Sequence, residues 1–190
     1  MVAPRLQLIA SRESCPALLE SLQAALGAVP RGGVLVQLRE KATPAAALLT
    51  LARALLPICR EAGAPLVIND RVDVALAAGL DGVHLPGDGL SPLEARALLG
   101  PDALIGVSCH TLDEVLRASA RGADSCVFGP IFAVPGKGQF GPPAPGNSGD
   151  TKSVGTAPNG QPLYAAAWYR EPYDSELAGY LSTADGPAGR

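Results

Sequence analysis

Three short apolar segments of the chain run directly into polar and charged side chains. They span residues 36–41, 67–71 and 106–110, and read Val-Gln-Leu-Arg-Glu-Lys, Val-Ile-Asn-Asp-Arg and Gly-Val-Ser-Cys-His. Enzymes built on parallel α/β barrels carry their reactive groups at the carboxyl ends of the strands. These segments therefore predict an enzyme rather than a structural scaffold.

The first segment places Gln37, Arg39 and Lys41 at alternate positions. On an extended strand end such residues share one face. Arg and Lys suit the oxygens of a phosphate group, and the amide of Gln suits the polar edge of a planar ring. The pattern predicts a site for a phosphorylated planar substrate; the alternative is a solvated strand end with incidental charges.

The second segment ends in Asn69 and Asp70. A carboxylate at the mouth of a barrel is a natural Mg²⁺ ligand where substrate phosphates and water supply the remaining oxygens. Asp70 is equally suited to cap the helix that follows, and the two roles do not exclude each other.

The third segment places Ser108 and His110 on one face of a strand end. The hydroxyl can donate to a phosphate, and the imidazole can act as an acid, a base or a ligand. The alternative for His110 is a structural neighbour of the helix that starts near Thr111. His84 lies inside a predicted strand, where a packed core or inter-strand histidine is expected.

The composition predicts a globular protein of about one domain, since the chain has 190 residues, 47% of them hydrophobic and 17% charged. A net charge of -3 offers no basic surface for nucleic acid and no polybasic patch for a membrane. No apolar run approaches the ~20 residues of a membrane span, and residues 1–11 read as a first strand rather than a leader. The four cysteines lack Cys-x-x-Cys spacing and are expected to be reduced, which predicts a cytoplasmic protein.

Apolar runs and helix start signals alternate up to about residue 137. Strands are predicted over residues 6–10, 34–38, 66–68, 82–85, 104–107 and 125–128. Helices are predicted between them, with Ser14, Thr43, Asp70, Ser91 and Thr111 as caps and Gly27, Gly63 and Gly79 as stops. This order predicts a parallel α/β fold, an incomplete TIM-type (β/α) barrel of about six βα units.

The chain changes character after about residue 138. Residues 139–150 are rich in Gly and Pro and read as a linker, and residues 151–190 form a tail of unknown function. All eight aromatic residues follow residue 127, and neither candidate element of the tail, at 163–169 and 174–181, reads as a further barrel strand. The first and sixth strands would then have open edges, which the tail or a second copy of the chain would have to cover.

Five segments taken together resemble one family. They cover residues 36–41, 68–75, 81–85, 105–111 and 128–132. These segments are similar to motifs of thiamine phosphate synthase and of its relative thiazole tautomerase, both (β/α) barrels. The resemblance extends over about residues 5–138 and does not include the C-terminal part.

The resemblance implies a transferase of thiamine biosynthesis that joins an aminopyrimidine methyl diphosphate to a thiazole phosphate, releasing pyrophosphate with the help of Mg²⁺. By position in the motifs, the residues implied to bind the pyrimidine diphosphate are Gln37, Arg39, Lys41, Asn69, Ser108 and Lys137. Asp70 is implied to bind Mg²⁺. In the tautomerase branch, a histidine placed like His110 would move a proton on the thiazole.

Several positions depart from the family pattern. The second metal carboxylate is expected where this chain has Gly89, so that Asp88, one residue earlier, is the remaining candidate. Hydroxyls that hold the thiazole phosphate are missing from residues 134–136, and no seventh or eighth barrel strand can be read. The sequence therefore predicts binding of the pyrimidine diphosphate with little or no condensation. A thiazole tautomerase, or an inactive truncated or fused fragment with an interaction tail, are the alternatives.

Overall fold

The computed structural model describes residues 6–129, 153–156 and 162–166. The chain divides into two compact units, one of residues 1–84 and 94–104, the other of residues 85–93 and 105–190. The predicted linker over residues 139–150 lies outside the described residues, as does Lys137.

The first unit is a parallel sheet whose strands are joined by helices. In chain order its elements are β1 (Leu6–Ala10), α1 (Leu18–Gly27), β2 (Val34–Leu38), α2 (Ala45–Ala62), β3 (Leu66–Asn69), α3 (Val72–Ala78) and β4 (Gly82–Leu85). Helix α4 (Pro92–Leu99) follows. Each strand lies parallel to the next in the order β1, β2, β3, β4.

Alternation along these strands separates an apolar face from one that carries polar side chains among apolar ones. Val36, Leu38, Ile68 and Val83 are at most 1% exposed and form the core of the first unit. The register pairs Ile9 with Gln37 and Asn69 with His84, and paired or alternate residues of parallel strands point to the same face. Gln7, Gln37, Asn69 and His84 therefore lie on the face opposite to these core positions. One face of the sheet therefore packs the core, and the other presents polar groups near the strand ends.

The second unit contains β5 (Leu104–Cys109), α5 (Leu112–Ala120), β6 (Ser125–Phe128), β7 (Ser153–Thr156) and β8 (Pro162–Ala166). Strands β5 and β6 are parallel, with Val107 opposite Cys126. Strand β8 is parallel to β6, and β7 is antiparallel to β8. The predicted succession of six strands and five helices is confirmed.

The prediction that the tail adds no strand to the sheet is wrong. Cys126 and Val127 of β6 pair with Ala165 and Ala166 of β8. The reason is the open edge of β6, whose unpaired amides and carbonyls can accept any extended segment that reaches them. The tail therefore covers one of the two edges that the sequence leaves open, whereas β1 pairs only with β2 in the described part of the chain.

The helix stops are predicted well. Gly63 and Gly79 end α2 and α3 in the left-handed conformation, each with a φ of 65°, which glycine adopts without steric cost. Thr111 and Glu114 form the expected capping box at the start of α5: Thr111 Oγ1 accepts from the Glu114 amide, and the Glu114 carboxylate accepts from the Thr111 amide.

Two predicted caps are wrong. Helix α1 begins only at Leu18 with Ala17 as its N-cap, and Ser14 lies earlier, in a turn where its amide donates to the Ser11 carbonyl. Thr43 does not cap α2, since its hydroxyl donates to the carboxylate of Glu40 at 3.1 Å. None of the helices in the described residues is long and apolar enough to cross a membrane.

Candidate functional site

The carboxyl end of β2 carries Gln37, Arg39 follows directly after the strand, and Lys41 lies in the turn that comes next. Gln37 is 3% exposed, Arg39 is half-buried just beyond the strand, and Lys41 is exposed. The Arg39 amide donates to the Ala10 carbonyl at 2.9 Å, which continues the ladder between β1 and β2 by one residue. Arg39 therefore remains on the same face as Gln37.

Gln37 lies in the middle of a chain of side-chain amides that crosses three strands. Gln7 Nε2 donates to Gln37 Oε1 at 2.5 Å, and Gln37 Nε2 donates to Asn69 Oδ1 at 3.1 Å. A buried amide needs such partners, because an unsatisfied one costs about 1–3 kcal/mol. The structure thus brings Gln37 and Asn69 together, as the sequence predicts, and adds Gln7.

Two positively charged side chains follow β2 and lack an acidic partner within the described part of the chain. Within the described part of the chain, the side chains of Arg39 and Lys41 make no hydrogen bond or ion pair. Glu40, which separates them, instead accepts from the amide and guanidinium of Arg12 at 2.5 and 3.5 Å, and from Thr43. The acidic residue between the two cations is therefore directed away from them.

The carboxylate of Glu40 is held in its ionised form. Burial opposes ionisation, but the hydrogen bonds from Arg12 and Thr43 outweigh it and lower the pKa of Glu40. Sequence reasoning missed this contact between the loops after β1 and β2. The only signal was the position of Arg12, shortly after the end of the first strand.

Asp70 occupies a strained position at the end of β3. Its φ is 64°, the left-handed region that residues other than glycine seldom adopt, and its side chain is exposed. The prediction that Asp70 caps α3 is wrong: the N-cap is Arg71, and no side chain caps this helix. No hydrogen bond holds the Asp70 carboxylate within the described residues, where Arg71 bonds to Asp73 instead, although the charge of Arg71 interacts with that of Asp70.

His84 is a core residue, as predicted. It is 5% exposed in β4, opposite Asn69. Burial, together with the positive charge of Arg39, lowers the pKa of His84 to about 4. His84 is therefore neutral near pH 7, and it does not serve as a cationic group there.

This depressed pKa makes stability depend on pH. The unfolded chain binds a proton on His84 below the ordinary pKa of 6.5, and the folded chain does so only below about 4. The titration of His84 therefore costs no free energy of unfolding above pH 6.5. As the pH drops from 6.5 to 4, it lowers the free energy of unfolding by about 3 kcal/mol at most. Between pH 7 and pH 4.5, we expect the free energy of unfolding in urea to fall more for the unsubstituted chain than for His84→Gln. Equal losses in the two proteins would contradict this.

The second unit holds Asp88, Ser108 and His110. Asp88 is exposed in a turn closed by the Gly89 amide, which donates to the Pro86 carbonyl at 3.3 Å. Ser108 is half-buried near the end of β5. The structure thus places Asp88 on a surface turn, whereas Ser108 lies at a strand end.

His110 has a fixed orientation. Its ring Nδ1 is hydrogen-bonded to the Gly129 carbonyl, and its backbone amide donates to Glu114 at 2.5 Å. A carbonyl can only accept, so Nδ1 carries a proton in this hydrogen bond. The position of the imidazole beside the start of α5 fits both interpretations of the sequence.

The cysteines are free thiols, as expected. Cys109 and Cys126 lie on one face of β5 and β6 and are at most 2% exposed. A hydrogen bond from Cys109 to Cys126, together with burial, raises the pKa of Cys109. Among the described residues no cluster of three or more His, Cys, Asp or Glu side chains could hold a metal ion. A metal at Asp70 would need oxygen ligands from a substrate or water.

Comparison with known proteins gives a consistent result. The thiamine monophosphate synthase family matches residues 6–157, which extends beyond the limit of residue 138 set by the sequence motifs. A thiamine-phosphate synthase of a Roseiflexus species is 44% identical, over 67% of this chain and 52% of its own length. That of Moorella thermoacetica is also 44% identical, over 65% of this chain and 59% of its own length.

A solved structure shows the same fold. Thiamine phosphate pyrophosphorylase from Pyrococcus furiosus matches with a TM-score of 0.59 and 34% identity, over 67% of this chain and 61% of that one. The predicted fold class, an incomplete TIM-type barrel, is confirmed by this likeness. The chain spans about half the length of the curated relatives it matches.

Proposed function

Because this chain belongs to the thiamine monophosphate synthase family, we propose that it binds an aminopyrimidine methyl diphosphate for transfer to a thiazole phosphate, a step of thiamine biosynthesis. The observation that carries the proposal is the end of β2, where two uncompensated cations, Arg39 and Lys41, stand beside the amides of Gln37 and Asn69. Cations and amides together suit a ligand with a polyanionic end and a polar aromatic end.

The reaction breaks the bond between the pyrimidine methylene carbon and the diphosphate oxygen. Both bonding electrons leave with pyrophosphate, and the lone pair of the thiazole nitrogen then forms the new carbon–nitrogen bond. Negative charge therefore grows on the leaving diphosphate. Arg39 and Lys41 would stabilise that charge, with donors from Ser108 and Lys137 assigned by resemblance.

Mg²⁺ fits the chemistry of Asp70. The carboxylate is exposed and makes no hydrogen bond within the described residues, and its charge faces only that of Arg71 there. No group of three or more possible metal ligands surrounds it among these residues, so substrate and water would have to supply the other oxygens. Asp70 would hold the ion together with diphosphate oxygens and water. The ion would supply charge neutralisation on the leaving group.

Gln37 and Asn69 would contact the pyrimidine. Their amides lie on the face of the sheet that also carries Arg39, and Gln37 is held from both sides. Fixed donors and acceptors can select one edge of a ring without reorganisation on binding. By resemblance, His110 would move a proton on the thiazole in the tautomerase alternative, a role that the synthase reaction does not need. The synthases named among the relatives favour the transferase.

We also propose a cytoplasmic location and contacts between copies of the chain. All four cysteines are free thiols, which suits a reducing compartment. The edge of β1 that faces away from β2 pairs with no strand of the described residues, and a second copy could cover it.

Lys41→Met tests the proposed diphosphate contact. Loss of a charge-assisted hydrogen bond costs about 1.5–3 kcal/mol, so the affinity for the aminopyrimidine methyl diphosphate should fall about tenfold or more. Any pyrophosphate release by the chain should disappear with it. Isothermal calorimetry with Mg²⁺ measures the affinity, and a coupled pyrophosphate assay measures release.

The matched control is Arg121→Met, which also removes one exposed positive charge. Arg121 follows α5, at the end of the helix that precedes the amino end of β6, and not at a carboxyl strand end. Unchanged affinity in Lys41→Met, or an equal loss in both variants, would refute the site assignment.

A further inference from the structure

Gln7 belongs to no motif that the proposed function uses, yet it begins the amide chain that leads into the site. We propose that Gln7 is a positioning residue: acting through Gln37, it fixes which atoms of the Asn69 amide face a ligand. The hydrogen-bonded series Gln7–Gln37–Asn69, here called the relay, rests on the geometry of three strands. Its consequence for ligand binding rests on the proposed function.

The relay has a direction. Gln7 Nε2 donates to Gln37 Oε1 at 2.5 Å, so the other end of the Gln37 side chain, Nε2, is the one that meets Asn69. Gln37 is 3% exposed, and water cannot readily replace either partner. The donor supplied by Gln7 therefore determines the orientation of the buried Gln37 amide.

The same logic sets Asn69. Because Asn69 Oδ1 accepts from Gln37 at 3.1 Å, its Nδ2 group is the end that points away from Gln37. Asn69 is half-buried at the last position of β3, directly before Asp70. The relay thus makes Asn69 a donor of hydrogen bonds, suited to a ring nitrogen or a diphosphate oxygen and unsuited to an amino group of the ligand.

Gln7→Glu should invert the relay. A carboxylate only accepts hydrogen bonds, so Gln37 has to turn and donate to it through Nε2. Gln37 Oε1 then faces Asn69, which in turn rotates and donates to it through Nδ2. Asn69 would now present an oxygen to the ligand. Gln7→Met, of similar size, removes the donor without imposing the opposite orientation.

Two readouts test this. In side-chain amide NMR spectra, Gln7→Glu should shift the Asn69 Nδ2 resonances and slow their proton exchange, since this group becomes hydrogen-bonded to Gln37. In calorimetry with Mg²⁺, its affinity for the aminopyrimidine methyl diphosphate should fall about tenfold or more, because a donor has been replaced by an acceptor. Gln7→Met should lose less affinity than Gln7→Glu.

Gln23→Glu is the matched charge control, since Gln23 is exposed on α1. It should leave both readouts unchanged, and thermal unfolding checks that every variant is folded. Unchanged Asn69 resonances in Gln7→Glu would overturn the relay, and so would an affinity equal to that of the unsubstituted chain. If the unsubstituted chain fails to bind the ligand, the proposed function is refuted, while the NMR readout still decides the relay.

Discussion

Asp70→Asn is expected to weaken Mg²⁺-dependent binding of the aminopyrimidine methyl diphosphate about a hundredfold without destabilising the fold. Asn keeps an oxygen but loses the negative charge that a divalent cation prefers, and a hundredfold loss corresponds to about 2.7 kcal/mol. Asn has the same shape as Asp and tolerates the left-handed backbone that this position requires, with its φ of 64°. Calorimetry with and without Mg²⁺ measures the loss.

Asp70→Gly separates function from stability at the same position. Glycine adopts a positive φ without steric cost, so this variant should match the unsubstituted chain in free energy of unfolding or exceed it by about 1 kcal/mol. It should nevertheless lose the Mg²⁺-dependent affinity completely. A Gly variant that still binds with Mg²⁺ would show that Asp70 is not a metal ligand.

Gly82→Ala is expected to destabilise the fold more than any of the site substitutions. A Cβ at this position would lie 1.9 Å from the Leu104 carbonyl oxygen, and 2.6 Å from its carbonyl carbon. Both atoms belong to the backbone and cannot rotate aside, so the strand has to move. We expect the free energy of unfolding to fall by about 3 kcal/mol or more, as for other overpacked positions. Denaturation in urea measures this directly.

Gly27→Ala provides the comparison for this effect. Gly27 is the last residue of α1, and no atom lies within 4 Å of the position a Cβ would occupy. Alanine there should be neutral or stabilising by about 0.5–1 kcal/mol. If Gly82→Ala proved as stable as Gly27→Ala, the close approach of the two backbones would be contradicted.

The regular part of the fold follows from local sequence signals. Val36 and Ile68 lie in short apolar runs, and Gly63 and Gly79 provide left-handed helix ends, so strands and helix stops could be placed without knowledge of tertiary contacts. A candidate element at residues 163–169 overlaps β8, but the place of this strand in the sheet could not be predicted in this way. Its pairing depends on the exposed edge of β6, which is a property of the assembled sheet rather than of residues 162–166.

The residue types at the end of β2 could be read from the sequence, but their connections could not. The shared face of Gln37 and Arg39 agrees with the ladder, which extends to the Arg39 amide, whereas Lys41 lies in the turn beyond it and its place on that face stays a prediction. The roles of Thr43 and Asp70 as caps were predicted wrongly, because a hydroxyl or carboxylate before a helix can also serve a neighbouring loop or a strained turn. The contribution of Gln7 depends on strand register, which joins residues 30 positions apart in the chain.

We expect this protein to bind the pyrimidine diphosphate but to condense it with thiazole phosphate slowly or not at all. The proposed site for the pyrimidine diphosphate is built from residues at the ends of β2 and β3. The thiazole phosphate half of the reaction has no assigned residues in the described part of the chain. Because misplacing a reacting group by about 1 Å can cost about a hundredfold in rate, condensation is expected to be slow or absent.

Isothermal calorimetry of the unsubstituted 190-residue chain with the aminopyrimidine methyl diphosphate tests this separation most directly, in parallel with an assay for thiamine phosphate. Saturable binding that requires Mg²⁺, with little or no thiamine phosphate formed when thiazole phosphate is added, is the expected result. Absence of binding at millimolar ligand with Mg²⁺ would contradict the site. Full turnover would show instead that residues outside the described part supply the second phosphate site.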